Sequence, residues 1–268
     1  MYQEKNKIRK TLSAFAVVIV ELALMAATTA VFVMAFEHID AKKAEAKPTA
    51  VSSSKASVSS AVQPSPSRTS QPAGQQFEQP ADWRLVLVNY EHTLPETFQS
   101  KIVNEFNVNM DSRIVEPFRQ MRDAALKDDI HLWLSSGYRN DEKQQKLYSE
   151  EIEAYYKAGI SYEDAVSEAA KSVAPPGTSE HITGLAIDVN GVLEDFGGTK
   201  EFRWLSEHAQ DYGFILRYPK DKQDITHIKY EAWHFRYVGV EHAKKMKELN
   251  LCLEEYIDYL NKNQTASH

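Results

Sequence analysis

The sequence predicts an α+β domain with a small, mostly antiparallel sheet and surrounding helices, preceded by a single N-terminal transmembrane helix and a disordered linker. Three observations predict it. An apolar run near the N-terminus is long enough to cross a bilayer, and a stretch rich in Ser, Pro, Ala and Gln follows it. The remainder mixes short alternating segments with helical periodicity, without the strand–helix–strand rhythm of a doubly wound fold.

The first segment, 1–11, carries Lys5, Lys7, Arg9 and Lys10. From Leu12 to Phe36 the only charge is Glu21. This run of about 25 residues exceeds the ~20 that span a bilayer and the ~7–15 apolar residues of a cleaved secretory signal. Residues 12–36 therefore read as a retained anchor. The basic flank favours a cytoplasmic N-terminus, so the expected location is the cell membrane, single-pass, with everything after residue 36 on the extracellular side. Residues 37–80 have too few large apolar side chains to offset the entropy of ordering them, and read as a stalk. Residues 81–263 have the length of one domain with its own core. The single cysteine, Cys252, leaves no internal disulfide. A net charge of −7, with no cluster of aromatic and basic residues, argues against a nucleic-acid partner.

Within the domain, Arg84–Tyr90 is short and rich in β-branched residues, which predicts a strand. Asp111–Asp129 places Ile114, Val115, Phe118, Met121, Ala125 and Leu126 at helical spacing behind Asp111 as a cap. His131–Tyr138 alternates into a turn at Gly137. Two helices follow, Asp141–Gly159 and Ser161–Ala174, before Pro175, Pro176 and Gly177 impose an irregular stretch. Gly184–Asn190 reads as a strand, Lys200–Gly213 as a helix closed by its glycine, and Glu231–Gly239 as an alternating strand. A last helix is expected over Glu241–Leu260.

Two of these strands carry a polar group where an apolar one is expected. Asp188 interrupts the run Leu185–Val189, and His234 lies between Trp233 and Phe235. A carboxylate does not enter an apolar interior without a partner. Asp188, His234 and nearby His181 make a reasonable zinc set, because catalytic zinc takes three protein ligands plus water and structural zinc leans on cysteine. Spacing alone leaves this open against ordinary core histidines. Glu231, three residues before His234, has the chemistry of a general base for an activated water. On a regular strand the two would face opposite ways, so that role requires Glu231 to sit on a turn or bulge. Arg139 follows a strand at a turn and offers a planar fork suited to a carboxylate or an oxyanion.

Taken together, these residues resemble a known family, the VanY-type D-alanyl-D-alanine carboxypeptidases. Ser179–Asp188 matches its Ser-x-His-x-x-Gly-x-Ala-x-Asp pattern, and Tyr230–Gly239 matches its Glu-x-x-His motif. Gly137–Asn140 with Gln144 is similar to its arginine motif, and Gly213–Pro219 also fits. The resemblance implies that His181, Asp188 and His234 bind zinc and that Glu231 is the general base. It implies that Arg139 contacts the substrate carboxylate or stabilises the tetrahedral intermediate, and that Ser179 and Gln144 line the substrate site. The expected reaction is removal of the terminal D-alanine from peptidoglycan stem peptides. An L,D-carboxypeptidase acting on tetrapeptide stems uses similar motifs. A non-catalytic wall-binding module is the alternative from another class, against which Glu231 argues. Three positions depart from the pattern: Ala232 where proline is common, Asn140 where serine is common, and His227 where glycine is common.

Overall fold

The computed structural model describes residues 77–265. The expected tail, the 12–36 span and most of the linker lie outside these residues. Among the described residues no helix is long and apolar enough to cross a membrane.

The architecture is α+β, with two small antiparallel sheets. A two-stranded hairpin, β1 (Ile102–Glu105) and β2 (Val108–Asp111), runs straight into helix α1 (Ser112–Lys127). Asp111 ends the strand and caps the helix, accepting a hydrogen bond from the Arg113 N–H at 2.9 Å. The buried stripe of α1 is Ile114, Phe118, Met121 and Ala125, four of the six positions the spacing predicts; Val115 is half-buried and Leu126 is exposed. After β3 (Leu134–Ser136), helices α2 (Asp141–Lys157) and α3 (Tyr162–Ala170) pack on each other, separated by Gly159. Asn140 caps α2 through the Lys143 N–H, a task serine performs equally well, which accounts for that departure.

Strand β4 (Ala186–Val189) follows, then α4 (Lys200–His208), β5 (Phe214–Leu216), the short α5 (Gln223–Thr226) and β6 (His234–Tyr237). The sheet order is β3-β4-β6-β5, with every neighbouring pair antiparallel. His227 closes α5 in the left-handed region at φ 57°, which explains why glycine is common there. Histidine tolerates this conformation better than most residues, and its ring lies against Tyr90 at 4.1 Å.

Two expectations need correcting, and two elements are additional to those expected. Arg84–Tyr90 is not a ladder strand. A 3₁₀ turn at Trp83–Leu85 leads into an extended segment whose side chains diverge, Val86 into the core under α1 and Leu85 and Leu87 into a second core. Its backbone is satisfied by side chains instead of a neighbouring strand. Gln79 exchanges two hydrogen bonds with Leu87, and Arg236 donates to the carbonyls of Arg84 and Val86. The last helix is two: α6 (Val240–Leu249) ends at left-handed Asn250, and α7 (Leu253–Thr265) starts anew. Their apolar faces, including Ala243, Met246, Leu253 and Ile257, form the second core with Leu85 and Leu87. The hairpin was not foreseen, because its turn uses Phe106 and Asn107 at positive φ in place of an Asn-Gly signal. Nor was β5, only three residues long.

Candidate active site

The register of the central strands places Asp188 directly opposite His234. The polar groups that interrupted two apolar strands are therefore cross-strand neighbours. Oδ1 of Asp188 lies 3.5 Å from Nδ1 of His234. His181 comes from the 3₁₀ turn Glu180–Thr183 immediately before β4. That turn closes on Gly184 at φ 74°, where a Cβ would sit 2.7 Å from Ile102 and 3.0 Å from the Asp111 nitrogen. Only glycine fits there, and the close approach seats the turn against the hairpin. Nε2 of His181 then lies 3.4 Å from Oδ2 of Asp188.

Nδ1 of His181 faces the Gly137 carbonyl at 2.6 Å. A carbonyl can only accept, so Nδ1 carries the proton and Nε2 keeps its lone pair. One ligand atom from each of His181, Asp188 and His234 lies within 4.8 Å of the others, and all three residues are buried. Atoms about 2.0–2.1 Å from a tetrahedral zinc are separated by about 3.3–3.4 Å, close to the 3.4 and 3.5 Å from the two histidines to the two oxygens of Asp188. Nε2 of His181 and Oδ1 of Asp188 have no hydrogen-bond partner, which is costly for buried polar atoms that nothing will occupy. The donor set and the orphaned atoms fit a zinc ion.

Glu231 meets the condition set by its spacing. It precedes β6 on a turn in which the His234 N–H donates to the Glu231 carbonyl at 3.3 Å. The turn swings its carboxylate to the same side as His234, with Oε2 3.3 Å from Nδ1. Arg139 reaches in from the loop after β3, where its backbone N–H donates to the His181 carbonyl at 3.1 Å. Its Nη2 is 4.0 Å from Oδ2 of Asp188, and its buried Nε has no partner. Gln144, on the first turn of α2, donates to the Ala174 carbonyl at 2.6 Å and leaves its own carbonyl oxygen unpartnered. Gln144 and Ser179 line a recess of ≈ 40 Å³ that also borders His181, His234 and Glu231. Arg139 and Glu231 also face a wide cleft of ≈ 1130 Å³.

The electrostatics favour a cation. Burial lowers the His234 imidazole, but Glu180, Glu231 and Asp188 around it raise it to about 9, so a bound cation would have to displace a proton from this ring. Burial lowers His181 to about 4, keeping it neutral as a ligand must be. Burial raises the Asp188 carboxyl, and the histidines and Arg139 bring it down to about 2. Glu231 is raised, chiefly by burial, the direction that suits a general base.

All seven residues singled out in the sequence therefore converge. Two at the site were not singled out. Tyr218 places its ring 4.7 Å from that of His234 and borders the recess. Its only signal was membership of the Gly213–Pro219 stretch. Glu180, between Ser179 and His181, is fully buried and reads in sequence as one more solvated acid.

Residues 107–240, which include every residue of this site, match the family model described as VanY, D-alanyl-D-alanine carboxypeptidase. The chain belongs to the VanY family. It is 40% identical over 178 residues to a D-alanyl-D-alanine carboxypeptidase of Enterococcus faecalis (strain ATCC 700802 / V583), a match covering 66% of this chain and 66% of that relative. The chain thus spans just under two thirds of that relative's length. Among solved structures, a VanY D,D-pentapeptidase variant from a VanB-type resistance cassette, in complex with Zn(II), is 40% identical with a TM-score of 0.61. That match covers 66% of this chain and 99% of the other. VanYB in complex with D-alanine-D-alanine is 39% identical with a TM-score of 0.62, covering 66% of this chain and 98% of the other. The metal in the first of these relatives is the one that the donor set of this VanY-family site fits.

Proposed function

We propose that this VanY-family chain is a zinc D,D-carboxypeptidase that removes the terminal D-alanine from peptidoglycan stem peptides, anchored in the cell membrane by residues 12–36 with its domain on the extracellular side. The observation that carries the reading is the convergence of His181, Asp188 and His234 with Glu231, beside a wide cleft that Asp188 and Glu231 border. The zinc-bound and D-alanine-D-alanine-bound relatives support the choice of metal and substrate. The anchor is supported by the apolar run and its basic flank.

His181, Asp188 and His234 would hold the zinc, which supplies a Lewis acid and lowers the pKa of water to about 7. Glu231 accepts a proton from the attacking water as the carbon–oxygen bond forms. It returns that proton to the leaving amine as the carbon–nitrogen bond breaks, and free D-alanine departs. Arg139 presents its planar fork beside Asp188, where it can grip the terminal carboxylate or the developing oxyanion. Gln144 and Ser179 line the small recess beside His181, His234 and Glu231, where they can contact a small terminal residue.

The test is D-alanine release by the full chain from defined pentapeptide and tetrapeptide stems, with and without chelator. The reading expects release from the pentapeptide that stops on chelation and returns with zinc. Preferential cleavage of the tetrapeptide would make the chain an L,D-carboxypeptidase. Binding of stems without turnover would make it a wall-binding module. Fractionation with membranes, and loss of the domain to protease added outside intact cells, tests the anchor.

A further inference from the structure

The catalytic reading uses Glu231 but leaves a second buried carboxylate against His234 without a role. Glu180 is fully buried, and its two oxygens have different surroundings. Oε1 accepts hydrogen bonds from Arg217 Nε and Arg236 Nη1, each at 2.8 Å. Oε2 has no partner and faces Nε2 of His234, also unpartnered, across 3.7 Å. Closing by about 0.7 Å would bring that pair to hydrogen-bond length. The other ring nitrogen, Nδ1, is the one turned towards Asp188 and Glu231.

We infer that Glu180 is the positioning residue for His234: its Oε2 accepts the Nε2 proton and so reserves the Nδ1 lone pair for the metal. The inference rests on the metal-site reading above. Histidine ligands commonly donate their other N–H to a carboxylate, which sets both the tautomer and the ring orientation. Glu180 is suited to this because it cannot swing away. Arg217 is held in turn by both oxygens of Glu254 on α7, at 2.9 and 2.6 Å. Arg236 is held by the Arg84 and Val86 carbonyls, at 3.1 and 2.8 Å. Glu254, Arg84 and Val86 all lie outside the 107–240 stretch that matches the family model. The segments flanking that stretch thus support the group that orients a metal ligand.

The structure dictates what Glu180→Gln would do. The two arginines keep the amide oxygen at the Oε1 position, so the amide NH₂ points at His234. Two donors cannot face each other, so Nε2 must become the acceptor and the proton moves to Nδ1, the atom the metal needs.

The experiment measures zinc affinity by competition with a chromophoric chelator, using the full chain in detergent as wild type, Glu180→Gln and Glu254→Gln. It adds the imidazole nitrogen shifts of His234 in the zinc-loaded wild type, assigned with a His234 variant. The expected result is a ten- to hundredfold loss of zinc affinity in Glu180→Gln. Glu254→Gln, which loosens the same network without touching the acceptor on His234, is expected to stay within about threefold of wild type. In the wild type the proton sits on Nε2. A loss below tenfold in Glu180→Gln, an equal loss in Glu254→Gln, or a proton on Nδ1 of zinc-loaded His234 overturns the inference. The wild-type shifts decide it even if Glu180→Gln fails to fold. Failure of the wild type to bind zinc would sink the metal-site reading itself.

Discussion

Strands β4 and β6 carry two buried polar clusters two residues apart, and they are built on opposite terms. At the Ala186–Arg236 pair the cluster is Arg236, Glu180, Arg217 and Glu254, in which the guanidiniums are held on several sides. At the Asp188–His234 pair the cluster is His181, Asp188, His234 and Glu231, where Nε2 of His181 and Oδ1 of Asp188 have no partner and Asp188 and Glu231 border the wide cleft. Both clusters bury charge that water would otherwise stabilise. The first spends its donors and acceptors on the protein and is scaffold. The second keeps them in reserve, which is affordable only if a ligand takes them up. Glu180 stands on the border, with one oxygen in each cluster.

The sharpest way to separate the two clusters is to neutralise one carboxylate in the second. Glu231→Gln should lower turnover of a pentapeptide stem by about 10²- to 10⁴-fold while zinc affinity and thermal stability change little. Protonation of the Glu231 carboxyl removes the base, so the wild-type rate profile should carry an acid limb. That limb should disappear from the residual activity of the variant. A variant that unfolds instead would place Glu231 with the scaffold.

Arg236→Met makes the complementary change. It leaves Glu180 with one arginine and strips a donor from the Arg84 and Val86 carbonyls. Removing one member of a buried ionic cluster costs about 3–5 kcal/mol, read as a fall in the denaturation midpoint. Activity of the fraction that stays folded should fall far less than in Glu231→Gln.

Those two substitutions bear on how much the sequence discloses. Asp188 and His234 were conspicuous because a polar residue on an apolar strand must find a partner, and the required turn at Glu231 followed from strand geometry. Glu180 could not be found that way. Its burial depends on Arg217 and Arg236, which lie 37 and 56 residues further along and meet it only when β5 and β6 pair. The same limit explains Arg84–Tyr90. Its short apolar run is real, and Leu85, Val86, Leu87 and Val88 are all buried, but such a run reports burial and not whether a strand lies alongside. Here Gln79 and Arg236 take that place.

Gln79→Ala tests that substitution of side chain for strand. With the N–H and C=O of buried Leu87 both losing a partner, the domain should lose about 1–2 kcal/mol with unchanged zinc affinity. The smallest effect belongs to Cys252. Burial pushes its thiol up from 9.0 to about 12, so at pH 8 the folded chain should not react with a thiol reagent, and the unfolded chain should react at once. The folded state disfavours the thiolate. This contribution to stability is therefore complete below pH 9 and fades as pH rises from 9 towards 12.

The central claim is that His181, Asp188 and His234 hold one zinc ion between them. A crystal structure of the zinc-loaded protein, with anomalous scattering at the zinc edge, tests it directly. The account predicts a single peak about 2.0–2.2 Å from a carboxylate oxygen of Asp188 and about 2.0–2.1 Å from Nε2 of His181 and Nδ1 of His234. No peak there, or a metal bound through Glu180 or Glu231 in place of any of these three, would contradict it.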